Sequence, residues 1–182
     1  MSKWRSRGVV SLKFSYIGYG ANLGQPHEML AWVLQKMEHS VGRVRRISRL
    51  YQTTPWGDAP GPDYVNAAIE LETSRTARDL LTSLQKLERE SGRKSSYPNA
   101  PRVCDLDLLL HQDEIITCKD LTVPHPRLHW RRFVLTPLCD LIPENKHPLM
   151  GVSFRQLLES VPDNGTVVSL DSNKISLSTL TK

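Results

Sequence analysis

The chain is poor in cysteine, and its three, Cys104, Cys118 and Cys139, form neither a C-x-x-C pair nor an even framework. That excludes a disulfide scaffold and a cysteine-ligated zinc centre, and it reads as a reduced, cytosolic protein. No apolar run approaches the ~18 residues that a spanning helix needs, so no membrane partner is expected. Met1 to Lys13 is basic but lacks the apolar region and small-residue cleavage site of a secretory signal, and is read as a frayed extension. Neither G-x-x-x-x-G-K-[ST] nor G-x-G-x-x-G occurs, and H-E-x-x-H, G-x-S-x-G and zinc-spaced Cys/His clusters are also missing. Gly18-Tyr19-Gly20 with Gly24 is one residue out of register with the dinucleotide fingerprint and is read as a turn. A phosphate-bearing ligand would have to be held by metal and scattered basic side chains instead.

What is present fits one α/β-patterned domain. The 182 residues suffice for a sizeable core without metal or disulfide. A net charge of +5 favours an anionic small ligand without requiring a polymer. Val9 to Tyr19 reads as a strand, Met29, Leu30, Val33 and Met37 as a helical stripe, and Val44 to Gln52 as one basic strand. Thr53 to Pro62, with three prolines and two glycines, is an irregular loop. Val65, Ala67, Ile69 and Leu71 alternate with polar neighbours as in a half-buried strand. Thr76 and Asp79 look like a helix cap ahead of Leu80, Leu81, Leu84 and Leu87, with the helix ending near Gly92. A strand from Cys104, a turn at Gln112-Asp113 and a return strand through Ile115 and Ile116 follow. Pro126 is expected to open a short helix through Phe133 and Leu135, and Ser153 to Val161 to form another. The order β-α-β-β-α-β implies an α+β sandwich, a mostly antiparallel sheet with helices packed on it. The domain is placed at residues 14–165, with a C-terminal tail at 166–182 that is expected to be poorly ordered after Leu170.

Pro101-Arg102-Val103-Cys104-Asp105-Leu106-Asp107-Leu108-Leu109-Leu110 carries the most chemistry. On a strand, Asp105 and Asp107 project from one face, while Leu106, Leu108 and Leu110 point into a core. Two such carboxylates can clamp Mg²⁺, whose other positions go to water and phosphate oxygens, and Arg102 adds a phosphate-binding fork. An isolated D-x-D is more often a strand's solvent face, so the pair needs support from the rest of the chain.

That support comes from the order of several blocks: Gly20-Ala21-Asn22-Leu23-Gly24, Tyr51 to Gly57, Pro62 to Ala68, Glu88 to Arg93, P-R-x-x-D-L-D-L from Pro101, and V-P-H-P-R-L-H from Val123. Together, from about Tyr16 to Val161, they resemble the 6-hydroxymethyl-7,8-dihydropterin pyrophosphokinases of folate biosynthesis. The resemblance implies a ferredoxin-like fold and transfer of pyrophosphate from ATP to a pterin alcohol, with AMP released. It implies two Mg²⁺ ions on Asp105 and Asp107, with Arg102 close to both substrates. Pterin is expected between Tyr64 and Phe133, its polar edge read by Asn66 and by groups near Thr53, Thr54 and Trp56. ATP is expected at Gln85, Glu88, Arg93, Leu108, His125 and Arg131. A monomer with ATP and pterin as its only partners, and no nucleic acid, is the expectation.

The chain also departs from the family pattern. The segment Lys94 to Ala100 lacks the arginines and tryptophan of the usual closing loop, which favours a lower rate or weaker ATP binding. Thr54, Cys104 and Trp130 stand where other residue types are common, without removing a metal or stacking position. A catalytically weak paralogue is therefore one alternative, and a small basic RNA-binding domain is an alternative of another class.

Overall fold

The computed structural model describes residues 11–58, 61–92 and 101–170. The extension up to Val10, the lid segment with Arg93 and the tail beyond Leu170 lie outside the described residues. Strand β1 (Lys13–Ala21) pairs antiparallel with β4 (Tyr64–Thr73) on one side and β5 (Asp105–His111) on the other. On its outer edge β4 pairs with β2 (Arg43–Ile47) and β3 (Leu50–Thr53), and β3 pairs in turn with β8 (Val167–Leu170). The order β5-β1-β4-β3-β8, with every pairing antiparallel, is the expected α+β sheet plus one C-terminal edge strand. The sheet thus runs past residue 165, where the domain boundary was placed.

Helices cover both faces. Helix α1 (Pro26–Ser40) and helix α2 (Ala77–Glu90) bury Leu30, Val33, Leu34, Met37, Leu80, Leu84 and Leu87 against Ile17, Tyr19, Ile69 and Leu71. The Thr76 side chain accepts the Asp79 N–H at 3.2 Å, a cap of the kind that contributes about 1 kcal/mol. On the opposite face, α3 (Arg132–Leu141) and α4 (Phe154–Ser160) enclose Tyr16, Ala68, Leu109 and Leu110.

Several elements differ from the sequence reading. Gly18 and Gly20 lie inside β1, not in a turn, because each residue from Lys13 to Ala21 has a partner on β4. The basic strand at 44–52 is broken at Ser48, whose Oγ accepts the Ala68 N–H at 2.9 Å and so patches the ladder. Strand β4 keeps its alternation, but α3 covers its second face, burying Asn66, Ala68 and Glu70 as well. The return strand does not pair with β5; β6 (Ile116–Cys118) and β7 (Leu121–Val123) form a separate ribbon. The β1–β5 register shifts between Tyr16 and Ile17, so Leu110 joins the α3/α4 core while Leu106 and Leu108 join the α1/α2 core. Pro126 opens no α-helix; a 3₁₀ turn at Leu128–Trp130 precedes α3.

Buried Glu70 is held by Arg46 and by the Tyr16 hydroxyl, which donates to it at 3.0 Å. Burial opposes its ionisation, yet Arg46 and Tyr16 outweigh that and hold the carboxyl below its ordinary value of 4.5. A lowered native pKa stabilises the fold above the unfolded value and loses that contribution as pH falls through the native one. Glu70→Gln should therefore lower the melting temperature at pH 7, with the deficit narrowing below about pH 4.5; thermal melts from pH 7 to 3 check it.

Candidate active site

The site forms at one end of the α3/α4 face, where the strands run past the start of α3. Gly20 lies opposite Asp105 on β5 and Asn66 on β4, and Gly18 lies opposite Asp107 and Ala68. Side chains on directly paired residues share a face, so the two glycines open a floor between the carboxylates and the β4 residues. A Cβ on Gly20 would come within 3.0 Å of Asn66 Oδ1 and 3.8 Å of Tyr64 Cδ1, and one on Gly18 would touch Leu109 at 3.4 Å. The approach at Gly20 is tight for any side chain, whereas one at Gly18 would meet ordinary contact but take up room in the cavity, which Tyr64, Asn66, Asp105 and Asp107 line together with Thr53, Thr54, Trp56, Arg102, Arg131 and Phe133.

The aromatic end is a slot with a fixed amide. Asn66 Nδ2 donates to Thr53 Oγ1 at 2.7 Å, which leaves the Asn66 carbonyl oxygen turned toward Gly20. The Arg131 guanidinium lies 4.8 Å from the Trp56 ring centre and 5.5 Å from that of Phe133. Flat apolar faces flanked by a few fixed polar groups suit a planar heterocycle.

The charged end concentrates repulsion. Arg102 donates to Asp105 at 2.7 Å, and Arg131 stands 4.0 Å from Asp107. Asp107 is half-buried in the cavity: burial pushes its carboxyl up to about 6, the Asp105 charge adds to the shift, and Arg131, Arg102 and Arg127 pull it back. Both Arg102 and Arg131 keep a buried Nε without a hydrogen-bond partner among the described residues, so each has donor capacity in reserve for an anion. His125 is driven down to about 4 by burial and by Arg131 and Arg127, so its ring is neutral at pH 7. Its Nδ1 accepts the Arg127 backbone N–H at 3.2 Å, which puts the ring proton on Nε2, free to donate.

These groups are positioned by local ties. Asn22, just past β1, accepts the Arg102 backbone N–H at 2.7 Å, donates to Pro62 O at 3.1 Å, and gives its own N–H to Arg102 O at 2.9 Å. One asparagine thus holds both the entry to β5 and the loop leading to Tyr64. Glu88, buried on α2, accepts the Leu106 N–H at 2.9 Å and anchors the strand between the two aspartates. No cluster of three His, Cys, Asp or Glu is found among the described residues. Two carboxylates still fit Mg²⁺ of the kind that completes its shell with water and phosphate, and a cation there would relieve the repulsion that raises Asp107.

The family model for 7,8-dihydro-6-hydroxymethylpterin-pyrophosphokinase matches residues 16–143, a span that contains every group just described. The chain belongs to this family. It is 34% identical to the 2-amino-4-hydroxy-6-hydroxymethyldihydropteridine pyrophosphokinase of Aquifex aeolicus, over 82% of this chain and 91% of that one. It is 36% identical to the enzyme so named from Pseudomonas aeruginosa, over 82% and 93%. The folic acid synthesis protein fol1 of Schizosaccharomyces pombe is 33% identical over 90% of this chain, which spans only 23% of that longer protein. Among solved structures, wild-type Plasmodium falciparum HPPK-DHPS with pteroate superposes with a TM-score of 0.69 at 14% identity, over 82% of this chain and 42% of that one; at that identity the match shows the fold.

The structure brings together Thr53, Thr54, Trp56, Tyr64, Asn66, Phe133, Arg102, Asp105, Asp107 and Arg131, with His125 close enough to feel Arg131 and Asp105. The remaining residues expected at ATP do not line this cavity. Gln85 is on the exposed side of α2, Glu88 is engaged with Leu106, and the Leu108 side chain is in the core; Arg93 lies outside the described residues. Sequence reasoning missed Gly18, Gly20 and Asn22 as site builders. Two glycines at period two inside a β-branched, aromatic run were the available signal.

An Asp107 carboxyl raised by burial and by a like charge makes a specific expectation. Its raised pKa means ionised Asp107 costs stability at pH 7, a cost that vanishes below the unfolded value near 3.8. Asp107→Asn should therefore melt higher than wild type at pH 7 in metal-free buffer, the advantage closing between about pH 6 and pH 4. Carboxyl-carbon NMR should show the Asp107 titration falling in Asp105→Asn.

Proposed function

We propose that the chain transfers the pyrophosphoryl group of ATP to 6-hydroxymethyl-7,8-dihydropterin and releases AMP. The observation that supports this best is the continuity of the cavity: an aromatic, amide-bearing slot opens directly onto a pair of carboxylates flanked by arginines. The pterin ring fits the end bounded by Tyr64, Trp56 and Phe133, with Asn66 and the Thr53–Thr54 segment reading its polar edge. That places its hydroxymethyl group toward Asp105 and Asp107.

Asp105 and Asp107 are the groups to hold two Mg²⁺ ions with the triphosphate. When bound, the ions neutralise phosphate charge and make the β-phosphorus more electrophilic. Arg102 and Arg131 direct their spare donors to phosphate oxygens, and neutral His125 donates from Nε2 without adding a charge that the two arginines would oppose. The pterin hydroxyl oxygen forms the new bond to the β-phosphorus, the bond from that phosphorus to the oxygen bridging it to the α-phosphorus breaks, AMP leaves with that oxygen, and the hydroxyl proton passes to solvent. Positioning and electrostatics carry most of such a transfer, and no side chain is assigned as a general base. The adenine belongs beside the outer edge of β5, where Leu108, its side chain buried, can offer only main chain.

Purified protein given Mg²⁺, ATP and the dihydropterin should release AMP in step with pterin consumption; binding of both ligands without AMP would favour the weak-paralogue reading. Asp105→Asn and Asp107→Asn should each keep the fold and lower kcat at least about a hundredfold, and near-normal turnover would remove that aspartate from the mechanism. Because metal needs ionised Asp107, the Mg²⁺ concentration for half-maximal rate should rise as pH falls through about 6.

A further inference from the structure

The matched family segment ends at residue 143, yet the pterin slot leans on chain well beyond it. Its two walls come from separate elements, the end of β3 with Thr53 and Thr54, and the start of α3 with Arg131 and Phe133. The short segment between α4 and β8 is bonded to both.

At the α3 wall, Arg131 is the N-cap but its side chain makes no capping hydrogen bond. The first helical N–H, that of Arg132, is instead accepted by Asp163 Oδ2 at 2.9 Å, and Arg132 Nε returns a bond to Asp163 O at 2.8 Å. A carboxylate there satisfies an N–H that the helix cannot pair and also favours the helix dipole. The second oxygen of the same carboxylate accepts Gly165 N–H at 2.8 Å, which turns the chain toward β3. At the other wall, Thr166 N–H donates to Thr54 Oγ1 at 3.2 Å and Thr54 N–H donates to Thr166 O at 3.3 Å, and the ladder continues with Thr53 opposite Val167. Asp163 and Thr166 therefore connect the Phe133 wall to the Thr53–Thr54 wall through one chain of hydrogen bonds.

We infer that Asp163 is a positioning residue for the pterin: as the hub of a strap formed by residues 163–166, it fixes the spacing of the slot walls without touching the ligand. This rests on the pterin reading of the slot. The strap's hydrogen bonds run to Arg132, Gly165 and Thr54 and not to Asp105, Asp107 or His125; of the groups assigned to phosphate only Arg131 adjoins it, so its loss falls far more on pterin recognition than on nucleotide binding. The carboxylate is needed for both of its acceptor oxygens, since an asparagine keeps one and turns a donor toward the other N–H.

Equilibrium titrations on the full chain test this, with 6-hydroxymethyl-7,8-dihydropterin and, separately, a non-hydrolysable ATP analogue with Mg²⁺. Asp163→Ala should raise the pterin Kd about tenfold, the scale of one lost hydrogen bond, while the ATP-analogue Kd stays within about twofold. Asp163→Asn should lie between Ala and wild type. Thr166→Pro, which deletes one strap donor at an exposed position, should reproduce the pterin-selective loss and carries the test if Asp163→Ala does not fold. An unchanged pterin Kd in Asp163→Asn and Thr166→Pro overturns the inference, and so does equal weakening of both ligands. Wild-type protein that binds no pterin overturns the proposed function instead.

Discussion

Two negative charges held side by side in a partly desolvated cavity are the constraint around which this molecule is arranged. Left alone they would repel, and Asp107 resists ionisation first because of its burial and then because of the Asp105 charge. Arg102 and Arg131 offset the repulsion without saturating it, since each retains an unpaired buried Nε. Asn22 and Glu88 hold the strand so that the carboxylates cannot turn away. A fold optimised for stability alone would not place two aspartates here, and the cost at Asp107 is of the kind that concentrates at functional sites.

The two faces of the sheet divide the work. Helices α1 and α2 close over one face with an apolar core that extends from β2 to β5. Helices α3 and α4 cover only part of the other, and the cavity occupies what they leave. Because β1 and β4 lie between the faces, each strand serves both: Ile17 and Tyr19 pack under α1 and α2, while Gly18 and Gly20 face the site. The strap from 163 to 166 then closes the open side, joining the sheet's last edge strand to the first turn of α3.

Much of this was legible in the sequence where a residue's role follows from its immediate neighbours. The Thr76–Asp79 cap, the alternation of β4 and the shared face of Asp105 and Asp107 all follow from local geometry. That Tyr64, Asn66 and Phe133 would gather round one cavity was legible only through family resemblance, because each alone would pass for core. What escaped depends on pairing between distant segments. A glycine in a strand looks like a turn until its partners are known, and Gly18 and Gly20 acquire meaning only opposite Asp107 and Asp105. The β1–β5 register shift that moved Leu110 to the other core, and the covering of β4 by α3, were invisible for the same reason. Glu88 was expected at the nucleotide through the family resemblance; its bond to the Leu106 N–H depends on how α2 packs on β5, which sequence spacing does not reveal.

The glycine floor has a consequence for selectivity. Most binding pockets are bottomed by side chains, which can change rotamer and so let a cavity deepen or shallow to suit what arrives. Here the bottom is main chain from a strand hydrogen-bonded on both sides, and main chain in that setting has nowhere to go. The pocket's depth is therefore a constant of the sheet, graduated in single carbon atoms. Such a cavity cannot deepen to admit a bulkier occupant, so any extra room has to come from the side chains of its walls.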